Sequence, residues 1–244
     1  MSSPLDVLAI AAHPDDAEFG CGGTLLRAVD AGLSVGIIDL TEAELSTQGD
    51  VETRARERDR ASTLLGLAAR IGLGLPDGGL DGGAPQRKIL VRALRTLRPR
   101  VLLAPYPEDR HPDHGAAGRL ARDAAYLAGV RRYDPGEAPH RPAALYHYML
   151  HQPFPPTFVV NVGSVNWERR TQVVEVYASQ FGGPAADART VLAGPRFLSV
   201  IEARASWFGA MIGVERGEPF WSAGPLALDG LPDGGGRDDY RMFV

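Results

Sequence analysis

Residues 5–25 read LDVLAIAAHPDDAEFGCGGTL, and within them an unbroken apolar run ends abruptly at a polar cluster. The run at residues 7–12 is short and continuous, which predicts a strand buried on both faces of a parallel sheet. Because Pro14 cannot donate a ladder hydrogen bond, we expect the strand to end there. His13, Asp15 and Asp16 would then lie just past its carboxyl end, where open α/β sheets bind their ligands.

A second polar cluster, Arg110-His111-Pro112-Asp113-His114, follows another short apolar run at residues 101–106. Two strand ends that each carry His and Asp can converge on one ion. We interpret His13, Asp16 and His114 as the metal ligands and leave Asp15 free. Two neutral imidazoles, one carboxylate and an open position for water describe a catalytic zinc site, although the same donor set accepts ferrous iron.

Such a site predicts metal-assisted hydrolysis of an amide. Zinc lowers the pKa of bound water from about 15.7 to about 7 and polarises a carbonyl beside it. Asp15, as a carboxylate that is not a ligand, is the candidate general base. His111, if protonated, is a candidate to stabilise an oxyanion or donate a proton, and Asp113 is a candidate to hold the second nitrogen of its ring.

Each part of the site also has a simpler explanation. A single Asp after a strand is most often an N-cap for the next helix, and a His-x-x-His spacing matches many chains by accident. Two such clusters, each directly after an apolar strand, favour the metal site over these alternatives.

Composition excludes several classes of protein. In 244 residues, 44% hydrophobic and 23% charged residues are ordinary values for a soluble globular chain. The net charge of −4, without a long basic run, gives no electrostatic footprint for nucleic acid. The single cysteine excludes an intrachain disulfide and a Cys-rich zinc module. No basic segment precedes the first apolar run, and no run approaches the roughly 20 residues that cross a bilayer, so we expect a cytoplasmic protein without a membrane partner.

Strand and helix patterns alternate through the first half of the chain. We predict strands at residues 7–12, 34–40, 69–75 and 101–106, alternating with helices at residues 24–31, 51–65, 86–97 and 115–128, and a close backbone turn at Gly20-Cys21-Gly22-Gly23. This order predicts an α/β fold, a mostly parallel, doubly wound sheet with helices on both faces.

The organisation changes after residue 129 into a smaller C-terminal strand and helix region. We predict strands at residues 144–150 and 157–162, helices at residues 164–180 and 195–213, and a mobile Gly/Asp-rich tail from about residue 232 to 244. Since no repeat or linker interrupts the chain, we expect one domain over residues 1–244.

The motif HPDDAEFGCGGTL, together with the later HPDH, resembles the PIG-L/LmbE-like family of zinc-dependent N-acetylglucosaminide deacetylases. LTEAELSTQG at residues 40–49, PYPEDRHPDH at residues 105–114 and YASQF at residues 177–181 resemble the branch that deacetylates N-acetylglucosaminyl-malate in bacillithiol biosynthesis. The resemblance covers the chain up to about residue 228. Relatives act on other N-acetylated sugars, including diacetylchitobiose and mycothiol precursors, so these substrates remain alternatives.

The resemblance implies a Rossmann-like fold, zinc on the three predicted ligands, Asp15 as the general base and His111 on the oxyanion side. It also implies a homo-oligomer, such as a hexamer, and a small-molecule sugar substrate. Arg54 matches a substrate-binding arginine of the family, and its guanidinium would suit a malyl carboxylate. Without the family match, Arg54 would be one of several exposed charges on a solvated helix.

One position departs from the mycothiol branch, which carries a tyrosine two residues before the His that corresponds to His111. Here that position is Asp109, so oxyanion stabilisation must come from zinc plus His111, or from a residue elsewhere, for which Arg110 is a candidate. Glu42, on the loop past the second strand, is a candidate sugar contact, or simply an exposed loop acid.

Two other functions compete with hydrolysis. A nucleotide-binding protein would share the fold type, but the first turn lacks the G-x-G-x-x-G that cradles a pyrophosphate. A structural zinc module would have a closed site with four protein ligands, usually rich in cysteine.

Overall fold

A computed structural model describes residues 3–180 and 197–228. Its strands are β1 (Val7–Ala11), β2 (Val35–Asp39), β3 (Ala69–Gly72), β4 (Val101–Pro105), β5 (Ala144–Tyr148), β6 (Phe158–Asn161) and β7 (Gly217–Trp221). Its helices are α1 (Asp16–Asp30), α2 (Val51–Leu65), α3 (Ala84–Leu97), α4 (Pro112–Ala128), α5 (Gly163–Glu175) and α6 (Phe197–Met211), with a 3₁₀ turn at Ala178–Gln180. The predicted tail from residue 232 lies outside the described residues. Among the described helices, none combines the length and the apolar character needed to cross a membrane.

The strands join in the order β3-β2-β1-β4-β5-β7-β6. The first five of these are parallel to one another, and β7 runs antiparallel between β5 and β6. All five residues of β1 are buried, as the unbroken apolar run predicts. The predicted α/β fold with a mostly parallel sheet is therefore confirmed.

The two faces of β1 are covered by different helices. Leu8 and Ile10 pack in one cluster with the apolar residues of α3 and α4, such as Leu94 and Leu120. Val7, Ala9 and Ala11 pack in another with α1 and α2 residues, namely Leu25, Leu26, Ala61 and Leu65. Because alternate side chains of a strand point to opposite faces, a run that is apolar throughout requires helices on both sides.

Helix α1 begins earlier than predicted, at Asp16 rather than residue 24. The predicted bend exists, but as a kink inside the helix, where Cys21 has φ −149° and ψ 19°. The glycines around Cys21 predict a turn that precedes the helix. Asp16 and Glu18, however, place acidic side chains in the first turn of α1, where they favour a helix N-terminus.

Charged side chains from the C-terminal region satisfy the backbone groups at this kink. Arg170 donates from Nη2 to the Phe19 carbonyl at 2.8 Å, on the side before the kink. Glu218 accepts from the Gly23 and Thr24 amides at 2.9 and 2.7 Å, on the side after it. Backbone groups that lose their helical hydrogen bonds at the kink thus bind charged side chains instead. These hydrogen bonds fix the direction of the first turns of α1.

Strand β7, which contains Glu218, was missed from the sequence. Its sequence GEPFW carries a proline, which lowers the expectation of a strand. Pro219 is opposite Val159 of β6, whereas the pairing with β5 begins only at Phe220. Glu218 is buried because it binds the α1 kink, a tertiary role that local periodicity does not indicate.

Two further helix boundaries differ from the prediction. Helix α4 begins at Pro112, three residues before residue 115, with His111 as N-cap, and proline at the first helical position is a start signal. Helix α5 ends at Glu175 instead of residue 180, and the 3₁₀ turn follows it. The predicted helix at residues 195–213 corresponds to α6, and its first two residues lie outside the described ones.

Gly118 of α4 sets the close approach of this helix to β4. A Cβ at this position would lie 2.4 Å from the Pro105 carbonyl oxygen and 3.0 Å from Pro107 Cα, and neither backbone atom can yield easily. We expect Gly118→Ala to lower the free energy of unfolding by about 1–3 kcal/mol, measured by chemical denaturation. Gly136→Ala is the control, since no atom lies within 4 Å of its Cβ position. Equal stabilities of the two variants would contradict the close approach.

Candidate active site

The two polar clusters meet at the carboxyl edge of the sheet. Strands β1 and β4 are parallel neighbours. His13, Asp15 and Asp16 follow β1 and enter α1, whereas His111–His114 follow the loop after β4 and form the start of α4. The convergence expected from the sequence therefore occurs between adjacent strands.

Candidate ligand atoms of His13, Asp16 and His114 all lie within 4.8 Å of one another. Asp16 stands between the two imidazoles, with Oδ2 at 3.3 Å from His13 Nδ1 and Oδ1 at 3.2 Å from His114 Nε2. Two ligand atoms that are each about 2.0–2.1 Å from a zinc ion at a tetrahedral angle lie about 3.3 Å apart. The two distances and the donor set fit a divalent metal.

In both candidate ligand histidines, the second ring nitrogen lies close to another carboxylate. His13 Nε2 lies 3.1 Å from Asp77 Oδ1 and 3.4 Å from Asp113 Oδ2, and His114 Nδ1 lies 3.2 Å from Asp109 Oδ1. Metal-binding imidazoles are oriented by such outer carboxylates. Neither Asp77 nor this role of Asp109 was predicted. Asp77 is 64 residues from His13 and Asp109 is five residues from His114, and only the fold brings each pair together.

The field at this point favours positive charge. Burial acts to lower the pKa of His114, but Asp16 and Asp109 raise that pKa to about 9. Burial also acts to raise the pKa of Asp109, yet the His114 ring and the amides of His111 and Gln152 hold that pKa well below its usual range. The same carboxylates that would stabilise an imidazolium would stabilise a bound cation.

Asp109 offers a test of this support. Asp109→Asn removes the negative charge behind His114 but leaves all three candidate ligands, so we expect metal affinity to fall by about 10–100-fold. Competition with a chromogenic chelator measures that affinity. The control is Asp81→Asn, an exposed aspartate. An affinity within the error of the unaltered protein would show that Asp109 does not support the metal site.

Asp15 is buried beside this group and is held by Arg54. Its Oδ2 accepts a hydrogen bond of 2.5 Å from Arg54 Nη1, which also donates to the Pro14 carbonyl. Burial raises the pKa of the Asp15 carboxyl to about 7, against the lowering effect of the Arg54 charge. At φ 142°, the Asp15 backbone adopts a conformation that non-glycine residues rarely take, and such strain persists only where surrounding contacts fix it.

His111 and Asp113 interact differently from the expectation. The Asp113 backbone amide donates to His111 Nδ1 at 3.3 Å, so the neutral ring carries its proton on Nε2. The Asp113 carboxylate faces His13 instead and accepts from the Gly78 and Leu80 amides. Burial and the neighbouring His114 lower the pKa of His111. His111 can thus donate a hydrogen bond from Nε2 as a neutral imidazole, without a second proton on its ring.

The three predicted substrate-binding residues are placed differently. Arg54 is buried and lines the cleft, with its guanidinium on Asp15 and on Ser46 Oγ, rather than exposed on its helix. Arg110 is exposed and lines the same cleft. Glu42 is exposed and is absent from the residues that line it.

The cleft has a volume of about 650 Å³, within the usual range for small-molecule sites. Residues of the two polar clusters line it, together with an apolar set, Phe19, Leu45, Leu150, Phe197, Val200 and Ile201. His151, which sequence reasoning missed, lines it and stacks on His114 with ring centroids 5.2 Å apart. In a small-molecule site of this kind, apolar side chains supply contact area and a few polar groups fix the orientation of the ligand.

Comparisons with known proteins agree with this architecture. A family model described as "PIG-L: GlcNAc-PI de-N-acetylase" matches residues 8–125. The diacetylchitobiose deacetylase of Thermococcus kodakarensis is 32% identical over 190 residues, which cover 72% of this chain and 70% of that protein. A probable N-acetyl-alpha-D-glucosaminyl L-malate deacetylase 2 of Bacillus anthracis is 26% identical over 137 residues, which cover 51% of this chain and 61% of that protein.

Among solved structures, the conserved protein TT1542 from Thermus thermophilus matches with a TM-score of 0.85 and 43% identity, covering 93% of this chain and 99% of that one. The matched sequences are those of deacetylases, and the α/β fold agrees with them. The chain belongs to the PIG-L family, as its HPDD and HPDH motifs predict. The identity to the diacetylchitobiose enzyme exceeds that to the malate enzyme, so these comparisons do not single out the malate branch.

Proposed function

We propose that this chain is a metal-dependent hydrolase that removes the N-acetyl group from an N-acetylglucosamine conjugate and releases acetate and a free amine. The observation that carries the proposal is the His13, Asp16 and His114 group with a buried carboxylate, Asp15, directly beside it. That combination supplies a cation site and a separate base in one cleft.

Zinc, or ferrous iron, held by His13, Asp16 and His114 would supply a Lewis acid for the amide carbonyl and for the attacking water. Asp15 takes a proton from the attacking water as the water oxygen bonds to the carbonyl carbon. Arg54 keeps the Asp15 carboxylate in place at 2.5 Å. His111 donates from Nε2 to the carbonyl oxygen as negative charge develops there. Asp15 then returns the proton to the nitrogen as the C–N bond breaks.

We propose N-acetylglucosaminyl-malate as the first candidate substrate, because residues 40–49, 105–114 and 177–181 resemble the malate branch. Arg54 is engaged by Asp15, so exposed Arg110 on the cleft is the better candidate for a malyl carboxylate. Diacetylchitobiose is the second candidate, supported by the Thermococcus kodakarensis relative. A homo-oligomer, a cytoplasmic location and a single domain stay predictions.

Amine release from N-acetylglucosaminyl-malate, diacetylchitobiose and free N-acetylglucosamine tests the proposal. We expect the highest kcat/KM on the malate conjugate, and a lower value for Arg110→Ala on that substrate alone. A preference for diacetylchitobiose would keep the chemistry and replace the substrate. Failure on all three by metal-loaded protein would contradict the proposed function.

A further inference from the structure

The segment Tyr177–Gln180 has no part in the chemistry above, yet it borders the active site, because Gln180 lines the cleft. We propose that this segment is a positioning element: through Gln180 and Tyr177 it fixes the loop at residues 41–50 and the Arg54 side chain, and thereby the orientation of Asp15. The activity readout of this inference rests on the proposed function, whereas its structural readout does not.

The first step is the dependence of Asp15 on Arg54. Asp15 has the unusual φ of 142°, and no side-chain hydrogen bond from Asp15 caps α1. Arg54 Nη1 instead bridges its carboxylate and the Pro14 carbonyl, at 2.5 and 2.9 Å. The direction of the candidate base is therefore set by where the Arg54 guanidinium lies.

The second step is what holds Arg54. Its Nη2 donates to Ser46 Oγ at 3.2 Å, and its Cζ lies 5.9 Å from the centre of the Tyr177 ring. Ser46 belongs to the loop between β2 and α2, and Tyr177 precedes the 3₁₀ turn. Both contacts depend on how the loop and this later segment pack together.

The third step is the set of hydrogen bonds that join the loop to the segment. Gln180 Nε2 donates to the Gln48 carbonyl at 2.9 Å, and the Ser46 hydroxyl lies 3.3 Å from Gln180 Oε1. Gln180 is buried with 4% of its surface exposed. A Cβ on Gly49, whose φ is +73°, would lie 3.0 Å from Cβ and Oγ of Ser179, so the loop backbone packs closely against the Ser179 side chain.

The segment is also anchored away from the loop. Tyr177, with no exposed surface, donates from its hydroxyl to Glu18 Oε1 at 2.7 Å. The Ser179 amide and hydroxyl donate to the two oxygens of Glu57 on α2, at 2.8 and 2.7 Å. Since α1 and α2 both hold the segment, it can act as a rigid support for the loop.

Gln180→Ala removes the link between segment and loop without touching Asp15, Arg54 or a candidate ligand. We expect kcat to fall about ten- to hundred-fold, because small displacements of a catalytic group are costly, with a smaller change in KM and unchanged metal content. In the Arg54→Met background, the same change should lower kcat less than about two-fold, since residues that act through one another are not additive. Equal effects in both backgrounds would overturn the proposal.

Hydrogen exchange supplies a readout that needs neither turnover nor the Arg54 variant. In Gln180→Ala we expect faster exchange of the Ser46, Thr53 and Arg54 amides, which are all hydrogen-bonded within the loop and the first turn of α2. His140→Ala is the matched control, because His140 Nε2 pairs with a backbone carbonyl, that of Pro99, at the opposite end of β4.

The two measurements separate the two claims. If the unaltered protein releases no acetate, the proposed function fails, and faster exchange in Gln180→Ala still supports the positioning role of the segment. Unchanged exchange at residues 46–54, or a loss of kcat in His140→Ala equal to that in Gln180→Ala, would overturn it.

Discussion

Asp15→Asn should retain its metal and lose about 10²–10⁴-fold in kcat, the range that a general base contributes. The amide has the size of the carboxylate but cannot accept a proton from water. Asp15 is outside the His13, Asp16 and His114 group, so the ion should remain bound. Steady-state kinetics of acetate release, together with metal content per chain, measure both parts of the prediction.

Asp59→Asn is the control for this variant, because Asp59 has the same chemistry on the exposed surface of α2. It should keep both its turnover and its metal. Near-normal turnover of Asp15→Asn would remove Asp15 from the mechanism, and loss of its metal would make it a ligand instead of a base.

Asp16→Ala should abolish stoichiometric metal binding and, with it, turnover. The two Asp16 oxygens face both imidazoles, at 3.2 and 3.3 Å, so one substitution removes the centre of the donor set and its negative charge. The loss of affinity should exceed the roughly 10–100-fold expected for a supporting carboxylate such as Asp109. Metal analysis after dialysis measures the difference.

Measuring Asp16→Ala and Asp109→Asn in one experiment compares the loss of metal affinity for a candidate ligand with that for a supporting carboxylate. Thermal unfolding of both metal-free proteins serves as the control for folding. If Asp16→Ala kept one tightly bound ion per chain, the ion would be held by other residues.

The sequence predicted the part of the fold that local pattern controls. The apolar run at residues 7–12 forms the interior strand β1, over residues 7–11, because a run that is apolar on both faces is stable only between two layers of helices. His13, Asp16 and His114 came together because the carboxyl ends of parallel neighbours share one edge of the sheet. The alternation of strands and helices up to α4 was also predicted, because strand and helix patterns alternate in the sequence.

Features that depend on distant partners were beyond local pattern. Strand β7 was missed because it contains Pro219. This strand positions Glu218, which binds the backbone at the α1 kink. Asp77 meets His13 across 64 residues, and Gln180 meets the Ser46 loop across 134. Such contacts exist only once the sheet order is set, so no spacing in the sequence indicates them.

The most direct test of the account is acetate release from an N-acetylglucosamine conjugate by protein that has been stripped with a chelator and then titrated with zinc. We expect no turnover without metal, a rise that is complete at about one equivalent per chain, and no rise in Asp16→Ala. Full turnover by the verified metal-free protein would contradict the central claim that His13, Asp16 and His114 hold a catalytic metal.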